Sequence, residues 1–417
     1  MTKDIPVSDA RHTLSLRVLA LRVLAPFAAG YFLSYLYRTV NAVLAPLISK
    51  AVHLDAGDLG LMTGVYFLAF GSFQLPLGIL LDRFGPRRVE AALLLFAAAG
   101  SAAFSVAQSA ETLILGRALV GLGVSACLMA ALKANVQFFP PAKLPLFNGI
   151  ILSAGGLGAV AATAPVQAAL AFVDWRTIFV VLAFLTVAAA VNLFLVVPDR
   201  HGNAVPESLP QQLAEVGRIY RDRRFWRLLP VGVVSQAAFM AIQGLWAGPW
   251  LRDVAGLPPD GVATGLTAMA AGMAAGFLGW GVIAERAGRV GVDPARVLGG
   301  GLVLFLICQT LMMAGFVAAP LVLAVVYGFS GASSTLSYVV ATRGFSPHLA
   351  GRATTSLNLG MFMGAFLMQW GLGAVIGLWP KSDIGWPAEA FTIAFAVPAV
   401  LLAASMVWAL PLLRKPA

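Results

Sequence analysis

This sequence has few charged side chains and few of the side-chain types that carry acid–base or metal chemistry. Charged residues make up 11% of its 417 positions, whereas soluble globular domains average about 25%. It has four histidines and two cysteines, and Cys127 and Cys308 lie in different apolar segments. A soluble domain would lack the charge to cover its surface. Two separated cysteines predict neither a disulfide framework nor a metal knuckle.

Apolar residues are abundant instead. They make up 59% of the chain, and the mean hydropathy is +0.86, which excludes an intrinsically disordered protein. The apolar runs are long rather than alternating, so they indicate membrane-crossing helices. Because a crossing needs about 20 residues plus a loop, the length allows about twelve of them. We predict helices near residues 24–48, 58–81, 89–108, 112–138, 146–172, 177–197, 228–251, 262–284, 296–317, 320–343, 353–378 and 388–412.

The longest polar stretch divides these helices into two sets of six. It covers residues 198–227 and holds six arginines. We therefore expect an all-α polytopic membrane protein with an N-terminal segment at 1–23, a six-helix bundle at 24–197, a linker at 198–227 and a second six-helix bundle at 228–417. The N-terminal segment and the linker would both be cytoplasmic.

Basic residues fall mostly on one side of this predicted topology. With the N-terminus in the cytoplasm, 21 lysines and arginines lie inside, and only Lys50, Arg176, Arg252 and Lys381 lie in outside loops. Since cytoplasmic loops carry the excess of basic residues, we predict a multi-pass protein of the plasma membrane, the inner membrane in bacteria, with both termini cytoplasmic. The net charge of +10 then meets anionic lipid rather than nucleic acid.

A short motif occurs twice, once after the second and once after the eighth predicted helix. The first copy consists of Gly78, Asp82, Arg83, Gly85, Arg87 and Arg88. The second repeats the glycine, the acid–arginine pair and the second glycine at the same spacing, as Gly281, Glu285, Arg286 and Gly288. The glycines suit a tight turn, and Asp82 can take a helix dipole or an arginine as its partner.

This duplicated motif resembles the cytoplasmic signature of the major facilitator superfamily (MFS). The segment from Arg117 to Gly123 in the fourth predicted helix also resembles a recurrent element of that superfamily. The resemblance implies a secondary transporter whose two pseudo-symmetric bundles rock about a central site by symport or antiport. It also implies that the two motif copies act as conformational latches. It implies no cofactor and no enzymatic activity, and we expect a monomer.

The first predicted helix carries a row of polar residues. Tyr31, Ser34, Tyr35, Arg38 and Asn41 recur at three- and four-residue steps, which predicts one shared helical face. Arg38 lies about halfway across, where inserting an arginine costs roughly 2.5–3.5 kcal/mol. We therefore expect this face to line a substrate cavity, although a structural tie to backbone carbonyls is the alternative.

The arginine followed three residues later by asparagine resembles the first helix of the organic-anion symporters of this superfamily. The resemblance implies a carboxylate-bearing substrate, which a planar guanidinium binds through two parallel hydrogen bonds. Tyr37 stands where those symporters usually have an aspartate, which puts proton coupling in doubt more than anion preference.

Other helices offer further candidates for the substrate site. One face of the predicted helix 228–251 carries Gln236, Gln243, Trp246 and Trp250, although the tryptophans could instead be interfacial anchors. Asn358, Ser334 and Tyr338 are weaker candidates. In the fourth predicted helix, Arg117 is either a second anion contact or a packing residue, and Lys133 is expected to be structural.

The predicted membrane cores hold no carboxylate or imidazole. All 18 acidic residues and all four histidines fall in loops or at predicted helix ends. A drug or metabolite exporter is therefore disfavoured, because such pumps often bury a carboxylate. Met269 and Met273, one turn apart, resemble the M-x-x-x-M pair of a copper-importing branch, and no other metal site is expected. From another functional class, a transporter-like sensor stays an alternative.

Overall fold

The computed structural model describes residues 16–140, 143–199, 209–343, 345, 347–382 and 385–414. In that part of the chain the regular structure is helical, apart from one isolated bridge between Ser382 and Gly385. We number the helices α1 (16–52), α2 (56–84), α3 (86–105), α4 (Ala110–Phe138), α5 (144–169), α6 (Trp175–Val196), α7 (Leu209–Arg221), α8 (Arg223–Asp253), α9 (Pro259–Arg289), α10 (Pro294–Met313), α11 (Pro320–Thr342), α12 (Pro347–Ile376) and α13 (Ala388–Arg414).

Several helices begin at an acidic residue because its carboxylate satisfies backbone N–H groups of the first turn. Asp55 opens α2 and its side chain accepts a hydrogen bond from the Asp58 backbone N–H at 2.7 Å, while the side chain of Asp58 accepts one from the Asp55 backbone N–H at 3.4 Å. Asp174, Asp222 and Asp293 cap α6, α8 and α10 in the same way. This capping role explains why so many carboxylates stand at helix ends.

The predicted fold class is confirmed. In the described residues, ten helices are long and apolar enough to cross a membrane. Two further predicted spans are interrupted, since α1 has a turn at Val40 and α2 has one at Phe73. Gly85 separates α2 from α3 with a φ of 79°, a conformation that glycine adopts without strain. Helices α1–α6 and α8–α13 form the two six-helix bundles.

The connection between the bundles is more helical than its polar sequence suggests. Helix α7 lies within the predicted linker, and α8 begins at Arg223, before the predicted start at residue 228. Arg352 of α12 binds Glu215 of α7 at 3.0 Å, and the Tyr220 hydroxyl donates to the Ser356 carbonyl at 3.0 Å. At the other terminus, residues 16–23 of the predicted segment 1–23 are already helical and continue into α1, while residues 1–15 lie outside the described part.

Along α5 and α9 the bundles meet closely at one end of the molecule and lose contact toward the other, whereas α2 and α12 stay in contact as far as Gln74 and Asn358. We call the end that carries Asp82, Arg88 and Arg286 the basic end. Residues seven apart lie on the same face of a helix, and pairs of such residues on α5 and α9 come less close together toward the basic end. The hydroxyls of Thr163 and Thr267 are 2.9 Å apart, and a methyl group on Gly156 would lie 3.2 Å from the Ala274 side chain.

The next pair in this series is Gly149 and Gly281, and a methyl group on either would meet no atom within 4 Å. At the end opposite the basic one, Gly248 of α8 also packs against the Ala42 carbonyl of α1, and Gly373 of α12 packs against that of Ala56 in α2. Pro46 lacks the N–H that would bond the Ala42 carbonyl, which leaves this oxygen free to face α8. The structure is therefore closed at the opposite end and open at the basic end between α5 and α9.

Glycines allow the close helix contacts inside the C-terminal bundle. Gly272 and Gly276 of α9 face the backbone of α11, and Gly360 and Gly364 of α12 face Val233. A Cβ on Gly272 would lie 2.2 Å from the Val325 carbonyl oxygen, so no side chain fits there unless α9 and α11 separate.

We expect Gly272→Val to prevent α9 and α11 from packing and to cost at least about 3 kcal/mol of stability. Gly281→Val is the matched control on the same helix, because no atom lies near its Cβ position. Size-exclusion profiles and thermal unfolding in detergent measure both variants. A Gly272→Val protein as stable as Gly281→Val would contradict the contact.

Candidate functional site

A small cavity lies between the two bundles, and both contribute to its wall. From α1 come Tyr35, Arg38 and Thr39, and the remaining lining comes from α8 and α9. The C-terminal bundle's lining residues are Gln236, Phe239, Met240, Gln243, Gly244, Met273 and Phe277. A site shared between bundles changes its exposure whenever the bundles rock, as a carrier site must.

Arg38 is the only cationic residue that the described part of the chain contributes to this wall, and aromatic rings surround it. Its guanidinium carbon lies 4.5 Å from the ring centroid of Tyr35, 5.5 Å from Phe70 and 5.6 Å from Phe362. Phe70 and Phe362 stack on each other across the bundle interface at 4.2 Å. Ring faces stabilise a cation without neutralising its charge, so the guanidinium keeps its capacity to bind an anion.

No carboxylate forms an ion pair with Arg38 among the described residues, and its Nε has no hydrogen-bond partner there. The Tyr66 hydroxyl lies beside the guanidinium. No backbone carbonyl is bonded to Arg38 in that part of the chain either, which disfavours the structural tie considered above.

Of the other polar residues predicted on the first helix, one lines the cavity and the rest pack inside the protein. Tyr35 lines the cavity, and Tyr31 packs edge-on against it at 5.2 Å and lies over Gly155 of α5. Ser34 is buried, and its carbonyl accepts a hydrogen bond from Tyr66. Asn41 does not line the cavity, because its amide donates to Thr63 at 3.2 Å inside the bundle. The prediction of one shared face is wrong for Asn41.

On α8, the two glutamines line the cavity as predicted and the tryptophans do not. Gln236 accepts a hydrogen bond from the Ser334 hydroxyl, and Gln243 donates to the Met273 sulfur at 3.3 Å. A π-helical turn at Ile242–Trp246 adds one residue to the repeat, which rotates the residues after it away from the predicted face. Trp246 is fully buried and donates to the Gln369 carbonyl, while Trp250 is buried and donates to that of Met312.

A polar link joins the bundles between α2 and α12. Asn358 accepts a hydrogen bond from the Tyr338 hydroxyl at 2.7 Å and donates to Gln74 of α2 at 3.4 Å. Gln74 in turn donates to the carbonyls of Phe70 and Ser125. Gln74 was not among the predicted site residues. It is the one amide side chain in the apolar run 59–81, and an amide in such a run indicates a buried polar contact.

Arg117 plays the packing role of its two predicted alternatives. It is fully buried within the N-terminal bundle, and its Nη1 donates to the Tyr37 carbonyl at 2.9 Å. Its guanidinium lies 5.4 Å from the ring of Tyr66 and does not line the cavity. Arg117 therefore fastens α4 to α1 behind Arg38.

In the first motif copy, Asp82 pairs with Lys133 of α4, which is neither of the partners considered from the sequence. Both residues belong to the N-terminal bundle. Arg88 binds Asp199 at 2.6 Å, Arg83 lies over Phe84, and Arg87 lies over the ring of Phe194 on α6. These contacts hold the basic end of the N-terminal bundle together.

The second motif copy has a different local structure from the first. Gly281 and Gly288 are helical, because α9 continues through Arg289, and the left-handed turn falls at Gly291 with a φ of 80°. Glu285 pairs with Arg289 on the same exposed helix face at 2.6 Å. The turn expected at Gly288 from the spacing of the first copy is therefore wrong. Arg286 belongs to the same helix.

The methionines of α9 and a glutamate of α3 bear on the predictions about metal ions and buried carboxylates. Met269 and Met273 are both buried on α9, and only Met273 lines the cavity. Among the described residues no group of three His, Cys, Asp or Glu side chains could hold a metal ion. Glu90 stands near the start of α3, at the helix end where the sequence placed it, but it is fully buried rather than solvated.

Two curated proteins match the sequence of this chain over different lengths. It is 27% identical over 205 residues to the protein named Probable sulfoacetate transporter SauU of Cupriavidus necator, a match that covers 48% of this chain and 47% of that protein. It is 25% identical over 315 residues to the Probable L-galactonate transporter of Escherichia coli, covering 70% and 68%. The chain thus spans about half the length of the first of these relatives.

A solved structure and a family model agree on the fold. A bacterial homologue of the human lysosomal transporter Spinster, described as inward-facing and occupied, matches with a TM-score of 0.76 at 19% identity over 94% of this chain and 98% of that one. The model of the Major Facilitator Superfamily matches residues 27–367, which include every residue of the cavity wall. The chain belongs to the Major Facilitator Superfamily.

Proposed function

We propose that this protein is a secondary transporter that carries a small organic anion, bearing a carboxylate, through the Arg38 cavity by alternating access. The observation that carries the proposal is the arginine itself. It lies at the interface of the bundles in a wall that both bundles form, without a carboxylate partner among the described residues. A partly buried cation at membrane depth is costly unless a ligand neutralises it during the cycle.

The rest of the wall suits an organic anion better than a bare inorganic one. Gln236 and Gln243 can form hydrogen bonds with hydroxyl or carbonyl groups, while Phe239, Met240 and Phe277 offer apolar contacts. Two relatives are named for sulfoacetate and L-galactonate, which both carry an anionic group and further polar atoms. Others are named for nitrite extrusion and nitrate/nitrite transport, so inorganic anions belong in the test.

The sidedness follows from the basic residues. We propose that the basic end faces the cytoplasm of a bacterial inner membrane, with both termini on that side, because positively charged loops stay inside during insertion. The structure, which is open between α5 and α9 at the basic end, would then be an inward-facing state. Cysteines introduced at Gly149 and at Lys50, and labelled from outside intact cells, report this orientation directly.

The decisive experiment is counterflow in proteoliposomes. Vesicles preloaded with unlabelled sulfoacetate, L-galactonate or nitrate receive a trace of the same labelled anion outside, and we call these three the anion panel. We expect exchange of at least one organic acid of the panel, at least about ten-fold above protein-free vesicles.

Exchange of nitrate alone would contradict an organic cargo. Binding without flux would favour a sensor, and copper uptake in the same vesicles would favour the thioether alternative at Met269 and Met273. Exchange of cationic drugs without anions would favour the exporter alternative.

A further inference from the structure

Glu90 is a fully buried carboxylate that the site described above does not use. It lies on α3, five residues after the turn at Gly85. Its Oε1 occupies the space beside Gly30 of α1, where a Cβ would come within 2.1 Å of it. Any side chain at position 30 would therefore push the carboxylate out of its place, and the glycine makes room for it.

Neither oxygen of Glu90 has a hydrogen-bond partner among the described residues. The thiol of Cys127 on α4 lies beside the carboxylate. On α1 the nearest cations to Gly30 are Arg22, which is exposed, and Arg38, each eight residues or about 12 Å away along the helix. This environment contrasts with the capping and ion-paired carboxylates at the helix ends.

The charged groups on the surrounding helices are engaged elsewhere. Lys133 on α4 pairs with Asp82, and on α3 itself Arg88 pairs with Asp199. Arg87 lies over the ring of Phe194, and Arg117 donates to the Tyr37 carbonyl. Helix α6 has no ionisable side chain between residues 177 and 196. No cation of the described helices forms an ion pair with Glu90.

An ionised carboxylate in such a place is strongly disfavoured, whereas the neutral acid is tolerated. We propose that Glu90 is the site at which the transporter binds the proton that it carries together with the anion. This inference rests on the proposed function for the identity of the co-transported solute. The proton is held on a carboxyl oxygen while the carboxylate is enclosed, as in the conformation described here, and it passes to water on the cytoplasmic side when movement of α1 and α3 at the basic end hydrates the carboxylate.

The arrangement accounts for the absence of an aspartate beside Arg38. Glu90 on α3 binds the proton beside Gly30 of α1, while Arg38 binds the anion where α1 lines the cavity. A proton and a monovalent anion moving together transfer no net charge across the membrane. Helix α1 contacts both sites, through Gly30 at Glu90 and through Arg38 at the cavity.

The first test needs no cargo. Infrared difference spectra between wild-type protein and Glu90→Gln reveal the C=O stretch of a protonated carboxyl group, and we expect that band at neutral pH. Loss of the band only at strongly alkaline pH agrees with the proposal. A Glu90 that is ionised at neutral pH overturns it.

The second test separates coupling from binding in proteoliposomes with the anion panel. In Glu90→Gln we expect accumulation driven by an inward proton gradient to fall at least about ten-fold, while counterflow at equal pH falls less than about two-fold. Gly30→Ala, which displaces the carboxylate, should reproduce the loss of accumulation. Gly300→Ala, whose Cβ would meet no atom within 4 Å, is the matched control.

Gradient-driven accumulation that persists in Glu90→Gln overturns the proton site. If the wild-type protein exchanges no anion of the panel, the proposed function fails, and the infrared band alone then decides whether Glu90 binds a proton.

Discussion

Replacing Arg38 by alanine is expected to reduce anion counterflow at least about 30-fold while the protein still inserts and folds. Removing one partner of a buried, charge-assisted contact costs at least about 2 kcal/mol, which corresponds to that factor in affinity. The rings of Tyr35, Phe70 and Phe362 remain in place around the vacated position. Folding should survive, because among the described residues Arg38 forms no ion pair whose loss would leave a carboxylate exposed in the membrane.

Two further variants make the Arg38 result specific. Arg38→Lys keeps the charge but loses the planar pair of donors, so an intermediate loss of about ten-fold is expected. Lys50→Ala removes an exposed cation at the end opposite the basic one and should leave counterflow at the wild-type level. Arg38→Ala protein that exchanges the panel anions at the wild-type rate would contradict the anion site.

A disulfide across the closed end is expected to stop transport completely and reversibly. The hydroxyl oxygens of Thr163 and Thr267 are 2.9 Å apart, so cysteines at both positions are within reach of a bond. Cross-linked protein cannot open at that end, and counterflow should fall to the level of protein-free vesicles until a reductant restores it. Cys127 and Cys308 are buried and free, and replacing both by alanine provides a clean background.

The cross-link also tests the shape of the molecule. Cysteines at Gly149 and Gly281, seven residues from the Gly156 and Ala274 contact on each helix, should cross-link far more slowly because the helices have separated there. Cross-linked Thr163→Cys, Thr267→Cys protein that still exchanges anions would contradict alternating access through this interface. Each single cysteine variant controls for the loss of the hydroxyl pair.

Composition and hydropathy were sufficient to predict the all-α membrane fold class and the approximate positions of the membrane-crossing helices. The depth of Arg38 could also be read from its position in an apolar helix, because an arginine in lipid needs a partner or a cavity. These features depend on local sequence and on the solvent, so they can be derived without knowing which helices touch.

Features that depend on tertiary contacts or on local changes of helical repeat could not be derived in this way. Asn41 faces inward because its amide binds Thr63 on α2, and the π-helical turn at Ile242–Trp246 takes Trp246 off the face that an ideal repeat predicts. Glu90 stood at a predicted helix end and looked solvated, yet Gly30 and Cys127 enclose it. The pairing of Asp82 with Lys133 required the packing of α2 against α4.

The structure of this protein bound to the best-exchanged organic acid of the panel would examine the role of Arg38 at atomic level. We predict the carboxylate of that acid within about 2.7–2.9 Å of the Arg38 guanidinium nitrogens, the usual length of a charge-assisted hydrogen bond. The glutamines of α8 should contact its other polar atoms. An acid bound elsewhere in the molecule, with Arg38 still packed only against its aromatic rings, would contradict the proposed anion site.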